Sequence, residues 1–363
     1  MKICFLLGGL YQNGGIGRVV SVLANRLADE PNMEILLLGY FDPRKPNLFP
    51  VSEKIEQTYF LPSCQSMTKT MLTGGERKLR SLLRKREVDV LIACGALYFP
   101  LAARACKGIH TKCICWEHTD PEGNRDYTFQ NLARTYGIKR SDLNLVLTKR
   151  ALRVYRERYR AKNTEQIYNP IDPEALRKAG DYHAQSKKII SVGRLTYPKN
   201  FEAAVEAAAQ VLPLHPDWEW DVFGQGEELE RLVALTEEKG IQGQMHFRGQ
   251  VSDLYDRYSD YAFMVMTSRY EGFPMTLLEG MANALPLVSF DIPTGPDEII
   301  EDGYNGFLIP ASDLETMSRA ITELMDHPEL RRTMSEHCLQ RRDPFSQEEI
   351  IKEWKAILKG IRD

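Results

Sequence analysis

What most constrains this chain is a pattern that runs along it twice: short, uninterrupted apolar runs, each followed by an amphipathic stretch. The first series comprises Lys2–Leu7, Glu34–Leu38, Asp89–Ala93, Cys113–Trp116 and Leu143–Leu147, with helical periodicity over Arg18–Asp29 and 126–139. The second restarts at Lys188–Gly193, turns helical from Asn200 to Val211, and continues through Trp218–Phe223, Met245–Phe247, Tyr261–Met266 and Pro286–Phe290. A strand that is apolar on both faces must be covered on both faces, as in a parallel sheet flanked by helices. The pattern therefore predicts an α/β chain of two doubly wound, Rossmann-like domains, and 363 residues suffice for both cores. The stiff stretch Asn169-Pro170-Ile171-Asp172-Pro173 reads as their connector, setting the domains at 1–168 and 169–344. A last amphipathic helix, Gln347–Ile361, carries Ile350, Trp354, Ile357 and Leu358 on one face. In such folds ligands bind beyond the carboxyl ends of the strands, so the chemistry is expected in the loops there.

Charge divides the chain in the same place. Residues 1–168 hold 27 Lys and Arg against 16 Asp and Glu, whereas the remainder holds 20 against 34. Such asymmetry predicts a basic surface on the first domain that faces something anionic. Two stretches concentrate it. Glu76–Arg86 sets Leu79, Leu82 and Leu83 on one stripe among cations, and Lys149–Lys162 interleaves seven cations with Leu152, Tyr155 and Tyr159. Each reads either as a contact with acidic lipid headgroups or as a solvated helix whose apolar stripe packs on the sheet. No apolar run reaches the roughly 18 residues of a membrane span, and the short apolar start lacks a small-residue cleavage site. Seven scattered cysteines fit reduced thiols, so a cytoplasmic location is expected, with peripheral attachment to the inner face of the plasma membrane as its extension. Cys113-Ile114-Cys115 has no second pair at metal spacing and reads as strand composition.

Four loops stand at the ends of predicted strands. In Gly8–Arg18 the glycines allow close approach of backbone amides to an anion, though the spacing is not that of a dinucleotide fingerprint, and a plain tight turn explains it equally. Gly193-Arg194 with Lys199 places two cations where a diphosphate could sit, or leaves them solvated at a domain edge. Ser268–Glu279 puts Glu271 in a loop, starts a helix at Pro274, and carries Glu279 about one and a half turns into it. The two carboxylates can reach different parts of one extended ligand, while amides of Phe273 to Thr276 meet a phosphate; a surface Glu279 and a capping Glu271 are the plainer alternative. His118, in Trp116-Glu117-His118-Thr119-Asp120, ends a strand and is by itself more often structural than substrate-binding.

Taken together, these residues are recognisable. Glu271-Gly272-Phe273-Pro274 with Glu279 resembles the E-x7-E signature of retaining glycosyltransferases of family 4, which have the GT-B fold of two Rossmann-like domains separated by a deep cleft. Val288–Ile300 and Asp302–Gly306 look like the segments that follow in that family. Gly14–Arg18 is similar to its glycine loop, and Gly193-Arg194 with Lys199 to its diphosphate-binding pair. The resemblance covers nearly the whole chain and is closest to bacterial transferases that build surface polysaccharides or lipid-linked oligosaccharides. Ala284, where many members have Gly before the Leu-Pro pair, is a departure that bears on local backbone geometry.

The resemblance implies roles. Arg194 and Lys199 would neutralise the diphosphate of a nucleotide-sugar, and Glu279 would accept from the ribose hydroxyls. Glu271 would hold the donor sugar beside the backbone of Gly272, Phe273, Pro274, Met275 and Thr276. Gly15, Ile16 and Gly17 would close over the diphosphate, His118 would touch the sugar from the first domain, and the base would lie near Arg248 and Gly249. The implied reaction moves a hexose or N-acetylhexosamine, with UDP favoured as carrier, to a glycan or lipid-diphosphate-linked saccharide. It keeps the α configuration without a protein nucleophile. The nucleotide-sugar is a co-substrate; no cofactor, no metal ion and no nucleic-acid partner is expected, and the final helix would pack back on the first domain. A nicotinamide dehydrogenase lacks its fingerprint here, and a solute-binding protein would need export. The serious alternative is a GT-B sugar-nucleotide epimerase or an inactive binding subunit.

Overall fold

Uninterrupted apolar runs become buried parallel strands in the computed structural model, which describes residues 1–11, 14–122, 128–177 and 181–361. The chain separates into two compact units, Met1–Pro170 with Gln347–Asp363, and Ile171–Ser346. The first division falls two residues later than the connector reading set it, and the second falls at Ser346.

The first unit holds seven strands: β1 Lys2–Leu7, β2 Glu34–Phe41, β3 Glu56–Leu61, β4 Val90–Cys94, β5 Lys112–Trp116, β6 Leu143–Val146 and β7 Thr164–Gln166. They lie in the order β3-β2-β1-β4-β5-β6-β7, every pair parallel. Strand order therefore reverses direction between β1 and β4, and a doubly wound sheet opens its ligand crevice at such a reversal. The helix Gln347–Gly360 belongs to this unit. Its Trp354 ring meets Trp116 of β5 edge-on at 4.9 Å, and its Lys355 pairs with Glu30. Its buried stripe is Ile350, Ile351, Trp354 and Leu358; Ile351 takes the place expected for Ile357, which is only half-buried.

The second unit holds β8 Lys188–Val192, β9 Glu219–Phe223, β10 Met245–Gly249, β11 Phe263–Met266, β12 Leu287–Asp291 and β13 Gly306–Pro310. Their order is β10-β9-β8-β11-β12-β13, again all parallel, with the reversal between β8 and β11. One apolar core, from Ile189 and Trp220 to Phe263, Phe290 and Ile321, fixes both strands that flank this reversal.

Both basic stretches form helices that turn their apolar stripe inward, with Leu82, Leu152 and Tyr159 of the expected stripes only half-buried. Leu79 and Leu83 of Gly75–Lys85 are buried, with Arg84 and Lys85 exposed, while Arg86 beyond the helix pairs with Glu56. In Lys149–Glu157 the buried residues are Ala151 and Tyr155. Cys113 and Cys115 face the interior from β5, all seven cysteines are unpaired, and Cys64 alone is exposed. Among the described residues no helix is long and apolar enough to cross a membrane, and no group of three or more His, Cys, Asp or Glu is placed to hold a metal ion.

Candidate functional site

In the second unit the loops after β8 and β11 flank the reversal and carry Arg194, Lys199 and Glu271. The loop after β8 is clamped to the loop after β9. Gly193 N–H donates to Phe223 O at 2.9 Å, Leu195 N–H to Gln225 O at 2.9 Å, and Glu228 N–H to Leu195 O at 3.0 Å. Only glycine permits this contact: a Cβ on Gly224, whose φ is +141°, would lie 1.8 Å from Gly193 O, and one on Gly226 would lie 2.1 Å from Leu195 O. The sequence signal for this pair is the G-x-G directly after the β9 run. Arg194 leaves the clamped turn with an exposed side chain and makes no ion pair among the described residues.

Lys199 and Glu271 are brought into direct contact, Nζ to Oε1 at 2.5 Å, and the Ser268 hydroxyl donates to the same oxygen at 2.7 Å. Thr267 donates to Asn200 O at 2.9 Å, Arg269 N–H to Pro198 O at 2.8 Å, and the Arg269 guanidinium lies 4.3 Å from the Tyr197 ring centre. Beneath Glu271, the Thr294 hydroxyl donates to its carbonyl, and a Cβ on Gly295 (φ +101°) would lie 2.4 Å from Pro274 Cδ. The segment from Gly272 to Pro274 is thus pressed against the turn after β12, and the Phe273 ring packs on Phe345 at 6.0 Å.

The helix after this loop is Met275–Ala282, so it starts one residue later than Pro274. Pro274 has ψ 88°, outside the helical range, and its carbonyl accepts from Leu277 and Leu278. No side chain caps this helix, and the positive end of its dipole lies at Met275. Glu279 is buried rather than at the surface. Its carboxylate accepts from the Tyr258 hydroxyl at 2.9 Å and from Tyr255 at 3.3 Å, and Tyr255 also reaches Asp172 at 3.1 Å. Neither tyrosine was marked by the sequence pattern, because only the fold brings them to Glu279. Arg248, at the end of β10, is anchored by Nε to buried Asp221 at 2.7 Å, and Tyr261 donates to the other oxygen at 2.8 Å. Gly249 (φ +70°) accepts from Gly224 N–H at 2.9 Å, so the turn bearing Arg248 is fastened to the glycine clamp.

In the first unit the expected residues also lie at strand ends. Gly15 and Ile16 begin the helix Gly15–Leu27, whose cap residue Gly14 is extended and offers no side chain; Gln12 and Asn13 lie outside the described residues. Gly17 is buried, and a Cβ there would lie 3.1 Å from the Phe49 ring. The Ile16 side chain points toward Gly95 at the end of β4, the other strand of this unit's reversal.

His118 follows β5 and packs against Trp116, ring centres 4.2 Å apart with the planes tilted by 54°. It is buried, and desolvation holds its pKa down at about 4, against the opposing pull of Glu117. Its Nε2 has no hydrogen-bond partner among the described residues. Burial alone would raise the Glu117 carboxyl, but Arg134 at 2.5 Å, Thr119 and Tyr155 hold it below the usual range. Sequence pattern gave no hint of this pairing, since Arg134 and Tyr155 stand 17 and 38 positions away.

Comparison with known proteins agrees with this layout. Residues 13–175 match the family model described as Glycosyltransferase Family 4, and residues 172–340 match Glycosyl transferases group 1. The chain is 29% identical to an uncharacterized glycosyltransferase of Haemophilus influenzae over 98% of this chain and 99% of that protein. It is 26% identical to the amylovoran biosynthesis glycosyltransferase AmsD of Erwinia amylovora over 98% and 99%. Among solved structures, Anabaena HepE in complex with UDP superposes with a TM-score of 0.80 at 18% identity, covering 99% of this chain and 100% of that one. With two doubly wound parallel sheets and two family models that together span residues 13–340, the chain belongs to the family 4, group 1 glycosyltransferases of GT-B fold.

Proposed function

We propose that this glycosyltransferase takes a hexose or N-acetylhexosamine from a nucleoside-diphosphate sugar, UDP-linked first of all, and joins it with retained α configuration to a glycan or lipid-diphosphate-linked saccharide in surface polysaccharide synthesis. The observation that carries this is that the segments following the two strands at the reversal of the second sheet carry Arg194, the Lys199–Glu271 pair, a helix start without a side-chain cap and buried Glu279. As the glycosidic bond breaks, negative charge grows on the departing phosphate. Arg194, Lys199 and the first-turn amides are the groups that would meet it. Glu271 would take hydroxyls of the sugar, Glu279 those of the ribose, and the Arg248-Gly249 turn the base. From the first unit, the backbone of Gly15 to Gly17 would cover the diphosphate and His118 would meet a sugar hydroxyl. The leaving phosphate oxygen would accept the acceptor's proton on the same face, so no side chain need act as nucleophile.

Relatives support the setting: AmsD is named for amylovoran biosynthesis, and HepE was solved with UDP. The exposed cations of Gly75–Lys85 fit work at the anionic inner face of the plasma membrane, on a lipid-linked acceptor. The test is release of nucleoside diphosphate from UDP-, GDP- and ADP-sugars, with and without membrane lipid extract. The proposal expects release from one carrier, raised by the extract. Absence of release under every condition would mark a binding subunit, and an altered sugar formed without any acceptor would mark an epimerase.

A further inference from the structure

The buried carboxylate beside His118 has no part in the roles above. Glu117 is 1% exposed, and its two oxygens take five hydrogen bonds. Oε1 accepts from the backbone N–H of His118 at 3.2 Å, from that of Thr119 at 3.1 Å and from the Thr119 hydroxyl at 2.7 Å. Oε2 accepts from Arg134 Nε at 2.5 Å and from the Tyr155 hydroxyl at 2.8 Å. Arg134 also reaches the Thr119 hydroxyl, at 3.1 Å. Arg134 lies on the helix Thr128–Ile138 and Tyr155 on Lys149–Glu157, so two helices and the turn after β5 meet on one carboxylate.

A buried ion pair is a poor source of stability, because desolvation offsets most of the Coulomb gain. A fully satisfied polar network is, however, rigid. What this one makes rigid is the turn that carries His118. The imidazole is held from one side by Trp116 and from its own backbone by Glu117, yet its Nε2 is buried without a partner. Leaving such an atom unpaired is unfavourable, and an arriving hydroxyl would remove that penalty.

We infer that Glu117 is a positioning residue: anchored by Arg134 and Tyr155, it fixes the turn so that the neutral His118 imidazole presents Nε2 to a hydroxyl of the bound sugar. This rests on the reading of His118 as a donor-sugar contact. Glu117 itself touches no substrate; its negative charge is spent on Arg134 and on holding the turn. Any hydroxyl-bearing sugar would satisfy the unpaired nitrogen, so the device serves orientation of the sugar.

Tyr155→Phe removes one of the five hydrogen bonds without adding charge, and Glu117→Gln keeps the shape while removing the charge. The first readout is the imidazole nitrogen and carbon signals of His118 in the full chain, assigned by their loss in His118→Ala and needing no donor. Both variants are expected to shift the His118 signals and leave the other six histidines in place. The second readout is turnover of a UDP-sugar. Tyr155→Phe is expected to lower kcat roughly tenfold, the worth of one hydrogen bond, with UDP affinity unchanged, and to have no further effect in a His118→Ala background. Unmoved His118 signals, or an equal loss of kcat with and without His118, would overturn the inference. Should wild-type protein turn over no UDP-sugar, the functional reading fails, while the ring signals still decide what Glu117 does. If Glu117→Gln does not fold, Tyr155→Phe alone decides both readouts.

Discussion

At the scale of single residues, His118 and Glu117 are neighbours that titrate in the same downward sense for different reasons. His118 is held at about 4 by burial, so between about pH 6.5 and 4 the unfolded chain binds a proton there that the folded chain does not. Its contribution to stability is therefore complete above about pH 6.5 and is lost as pH falls toward 4. Glu117, kept ionised against its own burial by Arg134, adds a further loss only below the ordinary carboxylate range. Denaturant unfolding followed from pH 7 to pH 4 is expected to show stability falling by up to about 3 kcal/mol through His118, and a shallower fall in His118→Asn. Identical slopes in the two proteins would contradict it. Arg194, Lys199 and Glu271 stand out in the sequence because each lies in the loop after a strand, and Glu279 because it keeps a fixed spacing from Glu271 along the helix Met275–Ala282. The partners of Glu117 and Glu279 were not, because a hydrogen bond between distant segments leaves no periodicity behind.

Among elements, the strands read from sequence are those near the centre of each sheet, together with β10. The strands it missed, β3, β7 and β13, are all at sheet edges. An edge strand is covered by fewer neighbours and so needs fewer apolar residues; β3 alternates, and β7 is the short polar Thr164–Gln166. The helix Met275–Ala282 shows how a departure from family pattern becomes geometry. Ala284 N–H donates to Met281 O and Leu285 N–H to Gly280 O, the paired bonds of a Schellman ending, and Ala284 sits at φ +59° in the left-handed region. An L-residue is disfavoured there, so Ala284→Gly is expected to stabilise the protein by about 1 kcal/mol, read as a higher denaturant midpoint at unchanged slope. A lower midpoint would show that the buried methyl matters more. For the helix Gly75–Lys85, burial of Leu79 and Leu83 settles what its apolar stripe does, and leaves the outward cations for a surface. Replacing Arg84 and Lys85 by Gln should weaken binding to anionic vesicles and reduce its salt dependence, with no change on neutral vesicles. Arg86 is left out of that variant because it pairs with Glu56.

Over the whole molecule, the two series of apolar runs were enough to foretell two doubly wound sheets, since parallel strands buried on both faces leave a strong local signature. The split of charge between the two parts was equally visible, and the structure places exposed cations of the first unit on helices whose apolar sides are buried. Less visible was the device that shapes the turn bearing Arg194: the Gly224 and Gly226 clamp works through backbone contact between two strand ends, which only the sheet order brings together. The central claim is that this clamped turn presents Arg194 to the diphosphate of a nucleotide-sugar. Calorimetric titration of UDP into the wild-type chain and into Arg194→Ala tests it most directly. Saturable binding to the wild type that weakens roughly 100-fold in the variant, at an unchanged unfolding midpoint, is the predicted result for a lost charge-assisted contact. Equal affinity in the two proteins would contradict the account.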